Sequence, residues 1–282
     1  MIDKGWGVRL FTHGTLILGV LIVAFPIYVT FVASTHTLAE IMHVPMPMLP
    51  GSALAHNYVQ ALTKGPMSGG SGPVGHMMLN SLVMALGITL GKIFISMLSA
   101  FAIVYFRFPL RMFFFWMIFI TLMLPVEVRI IPTYQVVADL GMLDSYPGLI
   151  LPLVASATAT FLFRQFFMTV PDEVLQAARI DGAGPLRFFK DILFPLSRTN
   201  IAALFVILFI YGWNQYLWPL LITTDERMYT ILIGINRMLS VADDQADWPI
   251  IMATSMLAML PPVLVVVLMQ RYFVRGLTET EK

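Results

Sequence analysis

Six apolar stretches, near residues 11–33, 79–104, 112–131, 148–167, 200–222 and 250–270, dominate this chain. Each is about as long as a helix needs to be to cross a bilayer, roughly 20 residues. Inside lipid every backbone N–H and C=O must be paired within the segment, so the stretches are expected to be helices. Composition supports that reading, because 58% of residues are hydrophobic, only 12% are charged and the mean hydropathy is +0.82. A soluble domain carries about twice that share of charge. The expected fold is therefore all-α: a polytopic membrane protein of six transmembrane helices, forming a single domain over residues 1–282.

The positions of the charges give an orientation. Lys4, Arg9, Arg107, Arg111, Arg164, Arg179, Arg187, Lys190, Arg198, Arg271, Arg275 and Lys282 fall on one side of the six segments, against Lys64, Arg129, Arg227 and Arg237 on the other. The excess of Lys and Arg marks the cytoplasmic side, which places both termini and the 168–199 loop in the cytoplasm. A net charge of +1 gives no reason to expect a nucleic-acid partner, and the absence of cysteine excludes disulfides and thiolate metal sites. His36, His43, His56 and His76 lack metal-ligand spacing and are expected to be solvated loop residues, so no metal is expected. Their surroundings, residues 34–75, read as the first external loop, too rich in Pro and Gly for a long helix.

Between the fourth and fifth apolar blocks lies a charged island, Pro171 to Pro195. Pro171 near N1, with Asp172 and Glu173 in the first turn, reads as a helix start, and Gly182 as its stop. Gly184-Pro185 opens a second short helix running to Pro195. Val174, Leu175, Leu186, Phe188, Phe189, Ile192 and Phe194 are more apolar surface than such a hairpin buries alone. Part of it is expected to meet another surface.

The hairpin resembles the signature of ABC importer permeases, which runs Glu-Ala-Ala, three residues, Gly, nine residues, then Ile-any-Leu-Pro. Here it reads Gln176-Ala177-Ala178, Asp181-Gly182 and Ile192-Leu193-Phe194-Pro195, with the spacing intact. Gln176 replaces the signature glutamate and Phe194 its leucine, and Glu173, one helical turn earlier, is the candidate substitute for the missing carboxylate. Asn57-Tyr58, Leu140-Gly141-Met142-Leu143-Asp144, Phe163-Arg164-Gln165-Phe166-Phe167 and Gln270-Arg271 also resemble the sugar-type branch of that family. The resemblance implies that Glu173, Gln176, Ala177, Ala178, Asp181, Gly182, Ile192 and Pro195 belong to a helix pair docking into a cytoplasmic ATPase.

Several polar residues within spans are candidates for a solute pathway. Lys92 lies several turns inside the second span, where a cation is costly and marks either a pathway or a paired charge. Gly91-Lys92 is not a phosphate loop, since Leu86 and Ile93 occupy the positions that need Gly and Ser or Thr. Asn80 sits at the start of the same span, and Glu127 and Arg129 at the external end of the third, where they meet an anion or pair with each other. Trp213, Asn214, Gln215 and Tyr216 put two amides inside the fifth span, facing either a polar conduit or a neighbouring helix. In the family the corresponding Trp-Asn stretch lies along the translocation pathway.

The resemblance implies a homologous second permease subunit, two copies of an ATP-binding subunit, a periplasmic substrate-binding protein and the inner membrane as surroundings. Runs such as Ser96–Ile103, Phe115–Arg129 and Ala155–Thr169 resemble the members that import glycerophosphoryl cargo, which implies glycerol-3-phosphate or a glycerophosphodiester. A neutral oligosaccharide or polyol is the alternative, and an ion-coupled secondary transporter a more distant one. No His-Glu-x-x-His, intramembrane carboxylate pair or Ser-His constellation appears in the spans, so neither an enzyme nor a bound cofactor is expected.

Overall fold

A computed structural model describes residues 6–65, 72–121, 126–240 and 246–278, and every element in it is helical. Three helices are long and apolar enough to cross a membrane singly: Trp6–Ser34, Val74–Tyr105 and Trp248–Gln270 within the longer helix Trp248–Thr278. Two bent pairs also reach spanning length, Tyr146–Leu153 with Ala157–Thr169 and Pro185–Leu196 with Arg198–Trp213. In the second pair Arg187 and Asp191 are exposed on the first arm. Charged groups of that kind belong at water, so the membrane part of this stretch is better taken as Arg198–Trp213 continued by Leu217–Ile222. The expected third span is represented by helices Arg111–Ile120 and Val126–Asp139; residues 122–125, with Leu124 and Pro125, lie outside the described residues.

Two of the expected spans are broken rather than continuous. The fourth stops at Leu153 and restarts after Ser156, whose hydroxyl caps the new helix by accepting from the Ala159 N–H. The fifth stops at Trp213 and resumes at Leu217. Hydropathy alone does not register either break, because three residues, Val154-Ala155-Ser156 in one and Asn214-Gln215-Tyr216 in the other, are too few to interrupt a long apolar stretch.

Two compact units are distinguished, residues 1–76 with 234–260, and residues 77–233 with 261–282. In the first, the 6–34 helix is exposed along residues 6–28 and becomes buried only at Val32–Ser34. The segment that follows is fastened to the end of this helix: the Asn57 amide donates to the Ser34 and His36 carbonyls at 2.9 Å each. His36 is 6% exposed, one ring nitrogen 2.8 Å from the Leu49 carbonyl and the other 3.1 Å from the Glu40 carboxylate. The expectation of a solvated His36 is thus corrected; two polar partners make its burial tolerable. His43, His56 and His76 are exposed, and no cluster of metal-ligating side chains occurs among the described residues.

The second unit is built around the 74–105 helix. One cluster gathers Ile93, Met97, Phe101, Phe163, Phe167, Leu204 and Leu208 together with Ala178, Phe188 and Leu193 from the hairpin. Another holds Met84, Ile88, Val137, Leu149, Trp218 and Ile222. Close approach of helices depends on absent side chains: a Cβ on Gly212 would stand 3.0 Å from the Cα of Ala85.

Candidate functional site

The first hairpin helix runs Asp172–Ile180, with Asp172 and Glu173 at its positive end and Arg179 at its negative end. Pro171 is extended at φ −60°, ψ 141° and serves as N-cap, one place before the expected N1. Gly182 has φ +74° and ends the helix as expected. Its N–H donates to the Arg179 carbonyl at 3.1 Å and the Ala183 N–H to the Ala178 carbonyl at 2.8 Å, the paired bonds of a Schellman cap.

Gly184 then precedes Pro185, which occupies the first position of the second helix. This helix does not stop at Pro195 but reaches Leu196. Proline has no N–H for the preceding turn and its ring crowds the carbonyl four residues back. The backbone answers with a π turn over Phe189–Leu193, in which the Phe194 N–H reaches back five residues to the Phe189 carbonyl.

The hairpin has two faces. Ala178, Phe188 and Leu193 are buried against the spans. Phe188 meets Tyr105 edge to face with centroids 5.3 Å apart, and Phe189 lies 5.1 Å from Phe101. The Tyr105 hydroxyl donates to the Phe167 carbonyl at 3.2 Å, holding the ring where Phe188 needs it. On the other face Glu173, Gln176, Ala177 and Ile180 form one exposed helical stripe, continued by Asp181 and Gly182 at the tip. Ile180 is 86% and Leu186 77% exposed, and Phe194 about half. Ile192 and Pro195 are half-buried. Glu173 therefore shares its stripe with Gln176, as the expected substitution requires. Beside the hairpin opens a cavity of about 890 Å³ whose lining includes Arg107, Arg111, Asp172, Gln176 and Arg179.

The residues expected along a pathway are placed differently from one another. Asn80 is fully buried, and its amide is consumed by three bonds: to the Arg227 carbonyl at 2.7 Å, to the Tyr229 carbonyl at 3.0 Å, and from the Tyr146 hydroxyl at 2.7 Å. Lys92 is 6% exposed, its Nζ 3.8 Å from the centroid of the Tyr211 ring. Arg129 is exposed and within electrostatic reach of Lys92. The side chain of Glu127 lies outside the described residues. Trp213 is buried and stacks on Phe209 at 6.0 Å, whereas Asn214 is exposed and Tyr216 half-buried. Gln215, within the helix break, donates back to the Tyr211 carbonyl of the preceding helix at 3.1 Å. Lys92 and the 213–216 break are thus joined by Tyr211, and Arg129 acts electrostatically on the same lysine. Tyr211 is marked in the sequence only by its place at the head of the Tyr-Gly-Trp-Asn run.

Comparison with known proteins gives this geometry a context. The chain is 62% identical to the sn-glycerol-3-phosphate transport system permease protein UgpE of Rhizobium meliloti and 61% identical to that of Agrobacterium fabrum, over the full length of both partners in each case. It is 60% identical, again end to end, to the protein of that name from Yersinia enterocolitica. Its fold is similar to a chain of a bacterial ABC transporter involved in the import of the acidic polysaccharide alginate, with a TM-score of 0.82, 19% identity, and 97% of this chain and 100% of that one covered. The family profile described as binding-protein-dependent transport system inner membrane component matches residues 92–279, which takes in the hairpin, the broken fifth span and Lys92. On these grounds the chain belongs to the family of binding-protein-dependent transport system inner membrane components, multi-pass subunits of ABC importers.

Proposed function

We propose that the chain is the permease half of an ATP-driven importer of glycerol-3-phosphate. The observation that carries the cargo is the 61–62% identity, without terminal gaps, to permeases named for that substrate in Rhizobium meliloti and Agrobacterium fabrum. A homologous second permease completes the wall of the conduit, two ATP-binding subunits lie beneath, and a periplasmic binding protein delivers the cargo. Both termini and the hairpin face the cytoplasm, where the excess of Lys and Arg falls.

In this reading the hairpin is a lever. Its outer stripe, Glu173, Gln176, Ala177 and Ile180 with Leu186, is gripped by the ATPase, while Phe188 and Leu193 carry the displacement into the spans. The aromatic contacts of Tyr105 and Phe101 make that transmission stiff, because packed interiors switch between discrete arrangements rather than deform. Closure of the ATPase pair on ATP shifts the population toward the outward-facing state. Lys92, Arg129, Asn214, Gln215 and Tyr216 line the route, and the positive charges complement a phosphate.

The test is reconstitution of the whole assembly in proteoliposomes. ATP hydrolysis and labelled uptake should rise together when the binding protein carries glycerol-3-phosphate. Stimulation by an oligosaccharide-loaded binding protein alone would transfer the assignment to neutral cargo.

A further inference from the structure

The contact between Lys92 and Tyr211 needs an explanation of its own. Lys92 is buried, and among the described residues no carboxylate lies within ion-pairing distance of it. Its Nζ rests instead on the face of Tyr211, 3.8 Å from the ring centroid, with Arg129 adding a second positive charge nearby. A carboxylate in that place would neutralise the lysine and shut out an anion. An aromatic face attracts the cation through its quadrupole and leaves the full charge available to a stronger partner.

The ring lies at the margin of the interior, packed on one side against the cluster of Met84, Ile88 and Trp218. Tyr211 is half-buried, in the last turn before the fifth span breaks at Asn214. Its backbone, by contrast, is pinned: Gly212 next to it packs on Ala85, and Gln215 donates to the Tyr211 carbonyl. Movement that uncovers Lys92 is thereby assigned to the side chain, which exchanges its contact with that cluster, and not to the helix. A phosphate oxygen forms a charge-assisted hydrogen bond with an ammonium and outcompetes the ring, and a neutral hydroxyl does not.

We propose that Tyr211 is a displaceable cap on Lys92, which surrenders the lysine to the phosphate group of an anionic cargo and withholds it from a neutral one. The inference rests on the glycerophosphoryl reading above and adds to it a subsite and its gate.

The test is amine modification of Lys92 in the assembled importer, quantified on its peptide against Lys4, Lys64, Lys190 and Lys282, the other lysines of the chain. Tyr211→Phe keeps an aromatic face and should leave Lys92 as protected as in the wild type. Tyr211→Leu and Tyr211→Met remove it and should raise the modification rate about three- to thirtyfold, the weight of one desolvated cation–π contact. In those two variants glycerol-3-phosphate or inorganic phosphate should restore protection and glycerol should not. Two replacements are used so that correct assembly of either suffices. Unchanged modification in the ring-less variants, or equal protection by glycerol, overturns the cap while leaving the cargo assignment standing. Failure of loaded binding protein to stimulate the wild-type assembly overturns the cargo assignment and the subsite with it.

Discussion

Tyr105 and Phe188 meet edge to face with their ring centroids 5.3 Å apart, one at the end of the 74–105 span and the other in the hairpin. This contact, with Phe189 on Phe101, ties the water-facing motif to the membrane part of the same unit. Phe188 is 2% exposed, and Phe188→Ala should destabilise the protein by about 3–5 kcal/mol through lost burial and a residual cavity. Thermal unfolding of the purified assembly measures it, with Leu186→Ala on the exposed face as the control that should change little.

Gly182 isolates a purely conformational effect. A Cβ there would touch nothing within 4 Å, yet φ is +74°. Gly182→Ala should therefore lose about 1–2 kcal/mol from the left-handed backbone alone. Gly182→Asn should recover part of that, because asparagine tolerates this region. Equal stability of all three proteins would show that the cap does not hold the hairpin.

Asn80 offers a contrast between a polar residue that binds and one that builds. Its three hydrogen bonds join the 74–105 helix to the 227–229 turn and to Tyr146. Asn80→Ala should remove about 3 kcal/mol, near one per bond, and reduce the yield of folded protein. Lys92→Met should leave folding intact and slow glycerol-3-phosphate uptake by roughly tenfold or more. Normal uptake with undiminished preference over maltose would remove Lys92 from the pathway.

Asp144 supplies a pH-dependent fastening outside the spans. Its carboxylate accepts from the Thr224 N–H and hydroxyl at 2.6 Å each and from the Asp225 N–H at 2.9 Å. The Asp225 N–H, followed by the Thr224 hydroxyl, holds the carboxyl below the ordinary carboxylate range. A lowered value means the stabilisation is complete at neutral pH and is lost as pH falls through it, below about pH 4. Hydrogen exchange at Thr224 and Asp225 should stay slow down to that point and quicken below it. Asp144→Asn should flatten the profile.

Much of this was legible in the chain, and the reasons differ by element. The hairpin was readable because Pro171, Gly182 and Pro185 act locally, through fixed φ, positive φ and a missing N–H. The helices followed from apolar length. The breaks at 154–156 and 214–216 did not, since they depend on what packs alongside, as do the π turn ahead of Pro195 and the buried ring of His36. The same holds for Asn80, whose backbone partners lie 147 and 149 residues away in sequence, and for Tyr211 over Lys92. Periodicity reports on neighbours within a helix and is silent on partners across the fold.

The most direct measurement is coupling in the reconstituted assembly after Ile180→Ser and Leu186→Ser together. Both side chains are exposed, so thermal stability should hold within about 0.5 kcal/mol. The lever account predicts that ATP hydrolysis loses its response to loaded binding protein and that import falls with it. Full stimulation and full import in the doubly substituted protein would contradict it.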